Sequence, residues 1–272
     1  TMKVQKSQKK FETRTKKGDL QLEEYNLKDA RKNHKRALKA AEEMKDELGV
    51  ASSYFCIATT YSRQGKVNEA LKYYNKSLDI QLDKLGKDHP RVATLYNNIG
   101  SVYDNQGKKD KALKYLNKAL DIRLNKLGKD HHDVASSYNN IGAVYNDQGK
   151  KDKALEYHNK ALDIRLNKLG KDHPHVAMSY NNIGLVYYAQ DKKDKALKYY
   201  NKALDIELKK LGKDHPHVAT SYNNIGSVYN AQGKKDKALK YFNKALGIHL
   251  NKLGKDHPHV ALSYNNIGSV YR

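Results

Sequence analysis

No tryptophan occurs in this sequence, and phenylalanine and methionine occur three times each. A single large globular core is hard to build from so few bulky apolar side chains, so an elongated array whose units bury surface only against their neighbours is expected. One cysteine, Cys56, excludes an intramolecular disulfide and is compatible with a reducing compartment. No apolar run approaches the roughly 20 residues of a membrane span. The basic start, Thr1 to Lys6, is followed by no apolar segment, so it does not read as a secretory signal. Acidic residues are scarce, with 30 Asp and Glu against 52 Lys and Arg, a formal charge of +22. Also missing are a glycine-rich phosphate loop, a nucleophile elbow and a unique His/Cys or paired-carboxylate constellation, so no enzyme is expected and no cofactor is implied. With no span or secretory signal read, a cytoplasmic or nuclear protein without a membrane anchor is the default, and cytoplasmic is the expectation taken here.

What the sequence has instead is repetition. Gly-Lys-Asp-His recurs from Gly86, Gly128, Gly170, Gly212 and Gly254, each step being 42 residues. All four prolines, Pro90, Pro174, Pro216 and Pro258, sit at one phase of this repeat, with His132 replacing proline in one copy. Tyr-Asn-Asn-Ile-Gly recurs from Tyr96, Tyr138, Tyr180, Tyr222 and Tyr264.

Each unit reads as two helices, A and B. In the unit beginning near Val92, Tyr96, Ile99, Gly100, Val102 and Tyr103 have helical spacing. Gly107 then supplies a residue able to take the left-handed conformation that ends a helix. Leu113, Leu116, Leu120, Leu124 and Leu127 form the apolar stripe of helix B, while Lys111, Lys114 and Lys118 fall on its opposite face. Gly100, Gly142, Gly184, Gly226 and Gly268 lie inside helix A, where glycine costs about 1 kcal/mol relative to alanine. A cost met in every copy predicts close helix–helix approach, with Ala112, Ala154, Ala196 and Ala238 on the facing helix.

The alignment of Gly100, Tyr103, Ala112 and Ala119 resembles the small/large signature of tetratricopeptide repeats. That unit is usually about 34 residues; the longer unit here, with Asn-Asn in helix A and Leu-Gly-Lys-Asp-His-Pro between units, is similar to the repeats of kinesin light chains. The resemblance covers about 50–272 and implies an all-α, right-handed α-solenoid, with the extra residues lengthening helix B and the connector. The organisation expected is a basic, frayed helical segment over 1–17, a divergent first repeat over 18–49, five repeats over 50–259, and a lone helix A over 260–272. In the divergent repeat Gly18, Ala30, Ala37 and Leu38 keep register, and the connector runs through Glu47-Leu48-Gly49 straight into Val50. The last helix A lacks its helix B, which leads us to expect a longer natural chain.

The resemblance also implies where function sits. In such arrays helix A lines a concave groove that holds a peptide of a partner protein. Carried over, the groove positions include Asn97, Asn98 and Ser101, then Asn139 and Asn140, then Met178, Asn181, Asn182, Leu185 and Tyr188, then Asn223, Asn224 and Ser227, and last Asn266. The second asparagine of each pair (Asn98, Asn140, Asn182, Asn224, Asn266) matches the position where related repeats bind peptide backbone or a terminal carboxylate. A primary amide can donate and accept along an extended chain. The first asparagine of each pair is expected to serve structure, and one open alternative is that both only set the superhelix. Two departures stand out. The expected groove positions carry no Lys or Arg before Arg272, and Phe55 and Cys56 replace the asparagine pair in one unit, so recognition of an acidic motif is not implied. A polar groove with apolar pockets around Met178, Leu185 and Tyr188 stands open beside the acidic-motif reading.

Other readings are weaker. Asp-His-Pro-His at Asp172, Asp214 and Asp256 has ligand-like spacing, but proline near a helix N-terminus explains it and no metal is expected. The lysines of helix B, with Tyr73, Tyr74, Tyr199 and Tyr200 beside them, admit nucleic-acid or acidic-surface binding; Tyr74 and Tyr200, however, share the register of Leu116. End-to-end self-association through the open last helix is a third alternative. Cys56 is read as a small buried or groove residue rather than a reactive thiol.

Overall fold

The computed structural model describes residues 8–17 and 27–272. Residues 1–7 and 18–26, and with them Gly18, lie outside the described residues. The described chain is all α-helix and turn. A helix α1 covers 8–17. Twelve further helices follow: α2 (Leu27–Glu43), α3 (Glu47–Arg63), α4 (Val67–Leu85), α5 (Pro90–Asn105), α6 (Lys109–Leu127), α7 (His132–Asp147), α8 (Lys151–Leu169), α9 (Pro174–Ala189), α10 (Lys193–Leu211), α11 (Pro216–Ala231), α12 (Lys235–Leu253) and α13 (Pro258–Ser269). The chain divides into two compact units, 1–129 and 130–272. None of the described helices is long and apolar enough to cross a membrane.

Each connector is built from local chemistry. At the A-to-B turn Gly107 has φ +74° and donates its N–H to Asp104 O, while Lys108 N–H reaches Tyr103 O. That is the left-handed helix stop expected of glycine. At the B-to-A connector Gly128 has φ +83°. Helix A then opens on a histidine. His89, His131, His173, His215 and His257 each accept, through Nδ1, the backbone N–H two residues on. Proline follows at the first helical position in four of the five, where its missing N–H costs nothing. Asp-His-Pro is thus a capping device. The start of α3 differs from the sequence expectation. Glu47, Leu48 and Gly49 form its first turn rather than a connector, because Asp46 caps the helix by accepting Gly49 N–H at 2.9 Å. The chain reverses over Met44 to Asp46, with Lys45 at φ +57°.

Within the first unit α2, α3, α4, α5 and α6 pack in sequence; within the second, α7 to α13 do the same, and α7–α9, α9–α11 and α11–α13 also touch. In that unit the A helices therefore form a row of direct neighbours. The glycines inside helix A are sockets for helix B. A Cβ on Gly100 would lie 2.8 Å from Leu116 Cγ and 3.2 Å from Ala112 O. At Gly142 it would meet the His158 ring at 2.9 Å, at Gly184 the Tyr200 ring at 2.7 Å, and at Gly226 the Phe242 ring at 2.7 Å. The close approach predicted by the repeated glycine is thus present in each of these hairpins. Tyr74 and Tyr200, at the Leu116 register, are fully buried.

Candidate peptide-binding groove

The asparagine pairs sit half-buried on helix A, except for the exposed Asn265, and the structure brings several of them together. Asn182 on α9 donates from Nδ2 to Asn139 Oδ1 on α7 at 2.5 Å, and Asn266 on α13 donates to Asn223 Oδ1 on α11 at 3.5 Å. The second asparagine of one repeat thus bonds the first asparagine of the repeat before it. In the first unit Asn97 donates to its neighbour Asn98 at 3.4 Å, and Asn98 also approaches the Tyr74 hydroxyl. Asn181 donates to Glu207 Oε1 and to Ser221 Oγ, both at 3.1 Å. Asn140 and Asn224 occupy the same register on α7 and α11. Of the expected hydroxyl contributors, Ser101 and Ser227 donate to the carbonyls of Asn97 and Asn223 in their own helices. They present only lone pairs outward.

Three of the apolar positions fall on α9, and Leu262 of α13, 50% exposed, holds the same repeat position as Met178. Met178 is 39% exposed and Leu185 47% exposed, while Tyr188 is half-buried. The equivalent positions are Ser136 and Ala143 in α7, and Thr220 and Ser227 in α11. α9 therefore offers solvent a thioether and an isobutyl group beside the Asn139–Asn182 amide pair.

Beneath the A helices lies a polar row that sequence reasoning missed. Gln81, Arg123, Arg165, Glu207 and His249 share one register of helix B, and all are buried. In the second unit each reaches a serine fourteen residues on: Arg165 Nη1 to Ser179 Oγ at 2.8 Å, Ser221 Oγ to Glu207 Oε2 at 2.6 Å, and His249 Nδ1 with Ser263 Oγ at 2.9 Å. Burial pushes the Glu207 carboxyl up to about 7, against the pull of its Ser221 and Asn181 hydrogen bonds. His158, buried over Gly142 and then repelled by Arg165, is driven down to about 4. The signal is present in the sequence as a polar residue recurring inside the apolar face of helix B. Its chemistry changes from copy to copy, which hides it among the surface charges.

Helix B lysines are not simply solvated. Tyr96 and Tyr103 pack against Tyr115, with ring centroids 5.9 and 5.5 Å from it. Lys118 lies over Tyr96 and Tyr115, at 5.2 and 5.8 Å, and Lys111 over Tyr103 at 5.7 Å. The same arrangement holds around Tyr157, Tyr199 and Tyr241. Each such contact contributes about 0.5–1 kcal/mol at an exposed site. Tyr73 and Tyr199 stack on Tyr61 and Tyr187, so their ring faces are already engaged. Among the described residues, His131, His132 and Asp133 bring three possible ligand atoms within 4.8 Å of one another. His131 Nδ1 already serves there as the helix cap.

Comparison with known proteins agrees with this architecture. The tetratricopeptide repeat family matches residues 49–125, 110–167, 133–209, 194–251 and 217–272. No curated protein matches the sequence. The solved structure of BtubC (BKLC) from P. vanneervenii is similar over 85% of this chain and 94% of its own, with 25% identity and a TM-score of 0.69. A kinesin light chain candidate from Podosopora anserina, built of nearly identical repeats, is similar over 74% of this chain and 96% of its own (21% identity, TM-score 0.60). A Rap protein solved with Competence and Sporulation Factor shares the fold over 96% of this chain and 75% of its own (17% identity, TM-score 0.69). The chain belongs to the tetratricopeptide repeat family, and its array resembles those of kinesin light chains.

Proposed function

We propose that this protein is an adaptor that binds a segment of a partner protein on its helix A face, with α9 as the anchoring helix. The observation that carries the reading is the exposure of Met178 and Leu185. A repeat under no demand but stacking would keep the small or polar residues found in α7 and α11. Exposed apolar side chains beside polar groups of fixed geometry are what a peptide-binding surface needs. Of the amides, Asn182 retains its carbonyl and one N–H after bonding Asn139, so it can still take one partner of each kind. The asparagines would set orientation, and Met178 and Leu185 would supply most of the affinity. We place the adaptor in the cytoplasm as part of the same reading.

The test uses substitutions that other repeats already carry, so the fold is spared. Peptides selected on the wild-type chain from a random display library are titrated against the Met178→Thr/Leu185→Ser variant. Loss of about tenfold or more in affinity is expected, corresponding to about 1.4 kcal/mol. Equal affinity for both chains would remove α9 from the binding surface. The alternative, an acidic surface or nucleic acid held by the helix B lysines, predicts affinity falling steeply with salt.

A further inference from the structure

The histidine that opens helix A is an unusual cap, because it titrates. In the second unit His173, His215 and His257 accept through Nδ1 the backbone N–H of residues 175, 217 and 259, at 3.1, 3.2 and 3.2 Å. An imidazole nitrogen accepts a hydrogen bond only while it carries no proton. Each cap therefore needs the neutral ring, with its hydrogen on Nε2. A protonated ring carries hydrogen on both nitrogens and can accept nothing. The side chains that usually cap helices keep their acceptor at any pH between about 5 and 8. α3 has a cap of that ordinary kind in Asp46.

The surroundings work in the same direction. A proton on the ring would put positive charge at the positive end of the helix dipole. A second imidazole stands beside each cap, with ring centroids 5.1 Å apart for His173 and His175, 4.9 Å for His215 and His217, and 5.1 Å for His257 and His259. Around His173 lie Lys171 and Asp172 of its own connector and Lys210 of α10, with Lys168 in the last turn of α8. Asp172 is taken up by Lys209 at 3.2 Å. His215 follows Asp214 and has Lys209 and Lys210 in the last turn of α10, where Glu207 is engaged with Ser221 and Asn181. Burial first, and then the charges of His217 and of Lys252 on α12, hold the His215 ring below the ordinary 6.5. His257 follows Asp256, and α12 brings it Lys252 and His249, the latter packed on His259 at 5.4 Å. The start of α7 is different: the Asp133 carboxylate lies 3.8 Å from His131 Nδ1 and offers a protonated ring another partner.

We propose that the starts of α9, α11 and α13 form an acid-sensitive seam: on acidification His173, His215 and His257 take up protons, release the N–H groups they hold, and let the first turns of these adjoining A helices open while the hairpins stay paired. The sign follows from the cap chemistry. The folded state holds the His215 proton less tightly than the unfolded chain does, so this cap is fully present above the ordinary 6.5 and is lost as pH falls through the lower folded value. Three adjoining starts that respond to one variable make the opening a property of the row of A helices rather than of one turn.

The test compares the whole wild-type chain with two triple variants. His173→Asn/His215→Asn/His257→Asn keeps a side-chain acceptor at each start but cannot take up a proton. His175→Gln/His217→Gln/His259→Gln keeps the caps and removes the neighbouring imidazoles. Exchange with water of the backbone N–H of residues 175, 217 and 259 is followed by nuclear magnetic resonance from about pH 7.5 to about pH 5, relative to the unfolded rate at each pH. Wild type should lose protection by about fivefold, the equivalent of one lost cap. The glutamine variant should lose it likewise, and the asparagine variant should keep it. Imidazole nitrogen shifts at neutral pH should place the hydrogen of His173, His215 and His257 on Nε2, and the helical circular dichroism should stay nearly constant over the range. An equal loss in the asparagine variant, no loss in wild type, or hydrogen on Nδ1 at neutral pH would overturn the proposal. So would a loss abolished by the glutamine variant, which would assign the response to repulsion between paired imidazoles, or a collapse of the helical signal, which would make the opening global.

Discussion

Glu207 and His158 are two residues whose charge the fold resists. The Glu207 carboxyl is held at about 7, above its ordinary 4.5. The folded state therefore binds its proton more tightly than the unfolded chain does. Stability falls as pH rises from about 4.5 to about 7 and is level above that, by an amount on the order of 3 kcal/mol. Glu207→Gln, which keeps the hydrogen bonds to Ser221 and Asn181 within reach, should raise the melting temperature at pH 8 and leave it nearly unchanged at pH 4.5. His158 works in the opposite window. Its folded value of about 4 lies below the ordinary 6.5, so stability is lost as pH falls between those values. His158→Leu, the residue that Leu116 places at the same register, should stabilise most near pH 4 to 5, as read by denaturant midpoints across pH.

At the scale of the helical hairpin, glycine does two different jobs, and each gives a signed prediction. Gly184 is a socket: a methyl group there would meet the Tyr200 ring at 2.7 Å. Ala58 holds the same register against Tyr74 in another hairpin, so a ring can yield. The net cost of Gly184→Ala is expected near about 1 kcal/mol, overpacking outweighing the gain in helix propensity. At Gly268 nothing lies within 4 Å of the added carbon, and Gly268→Ala should be neutral or slightly stabilising. Asp191 stands at φ +58° where the other A-to-B turns have Gly65, Gly107, Gly149 and Gly233. Asp191→Gly should stabilise by about 0.5–1 kcal/mol, measurable as a shift of the urea midpoint.

These elements also show how much of the molecule is legible in its sequence. Helix, turn and socket recur with the repeat, so one reading of Gly100, Gly107 and the Asp-His-Pro turn serves every copy. The site is less legible because it depends on departures from the repeat. Met178 and Leu185 are visible as such. The buried helix B register of Gln81, Arg123, Arg165, Glu207 and His249 is not, because its chemistry changes from copy to copy. The start of α3 departs from the expected connector for a related reason: Asp46 caps Gly49 only in a connector shorter than the others.

Within each compact unit, the lysines that lie over tyrosines and the asparagines of the expected groove sit on different helices. The lysines over the tyrosines sit on helix B; the asparagines, Met178 and Leu185 sit on helix A. The central claim is that partners are held by helix A. It is tested most directly by capture from nuclease-treated native lysate with three forms of the chain: wild type, Met178→Thr/Leu185→Ser/Asn182→Ala, and Lys160→Gln/Lys202→Gln/Lys244→Gln. The account predicts that a defined set of proteins bound by wild type is lost from the helix A variant and retained by the lysine variant. Retention by the helix A variant with loss from the lysine variant would contradict it and move binding to helix B.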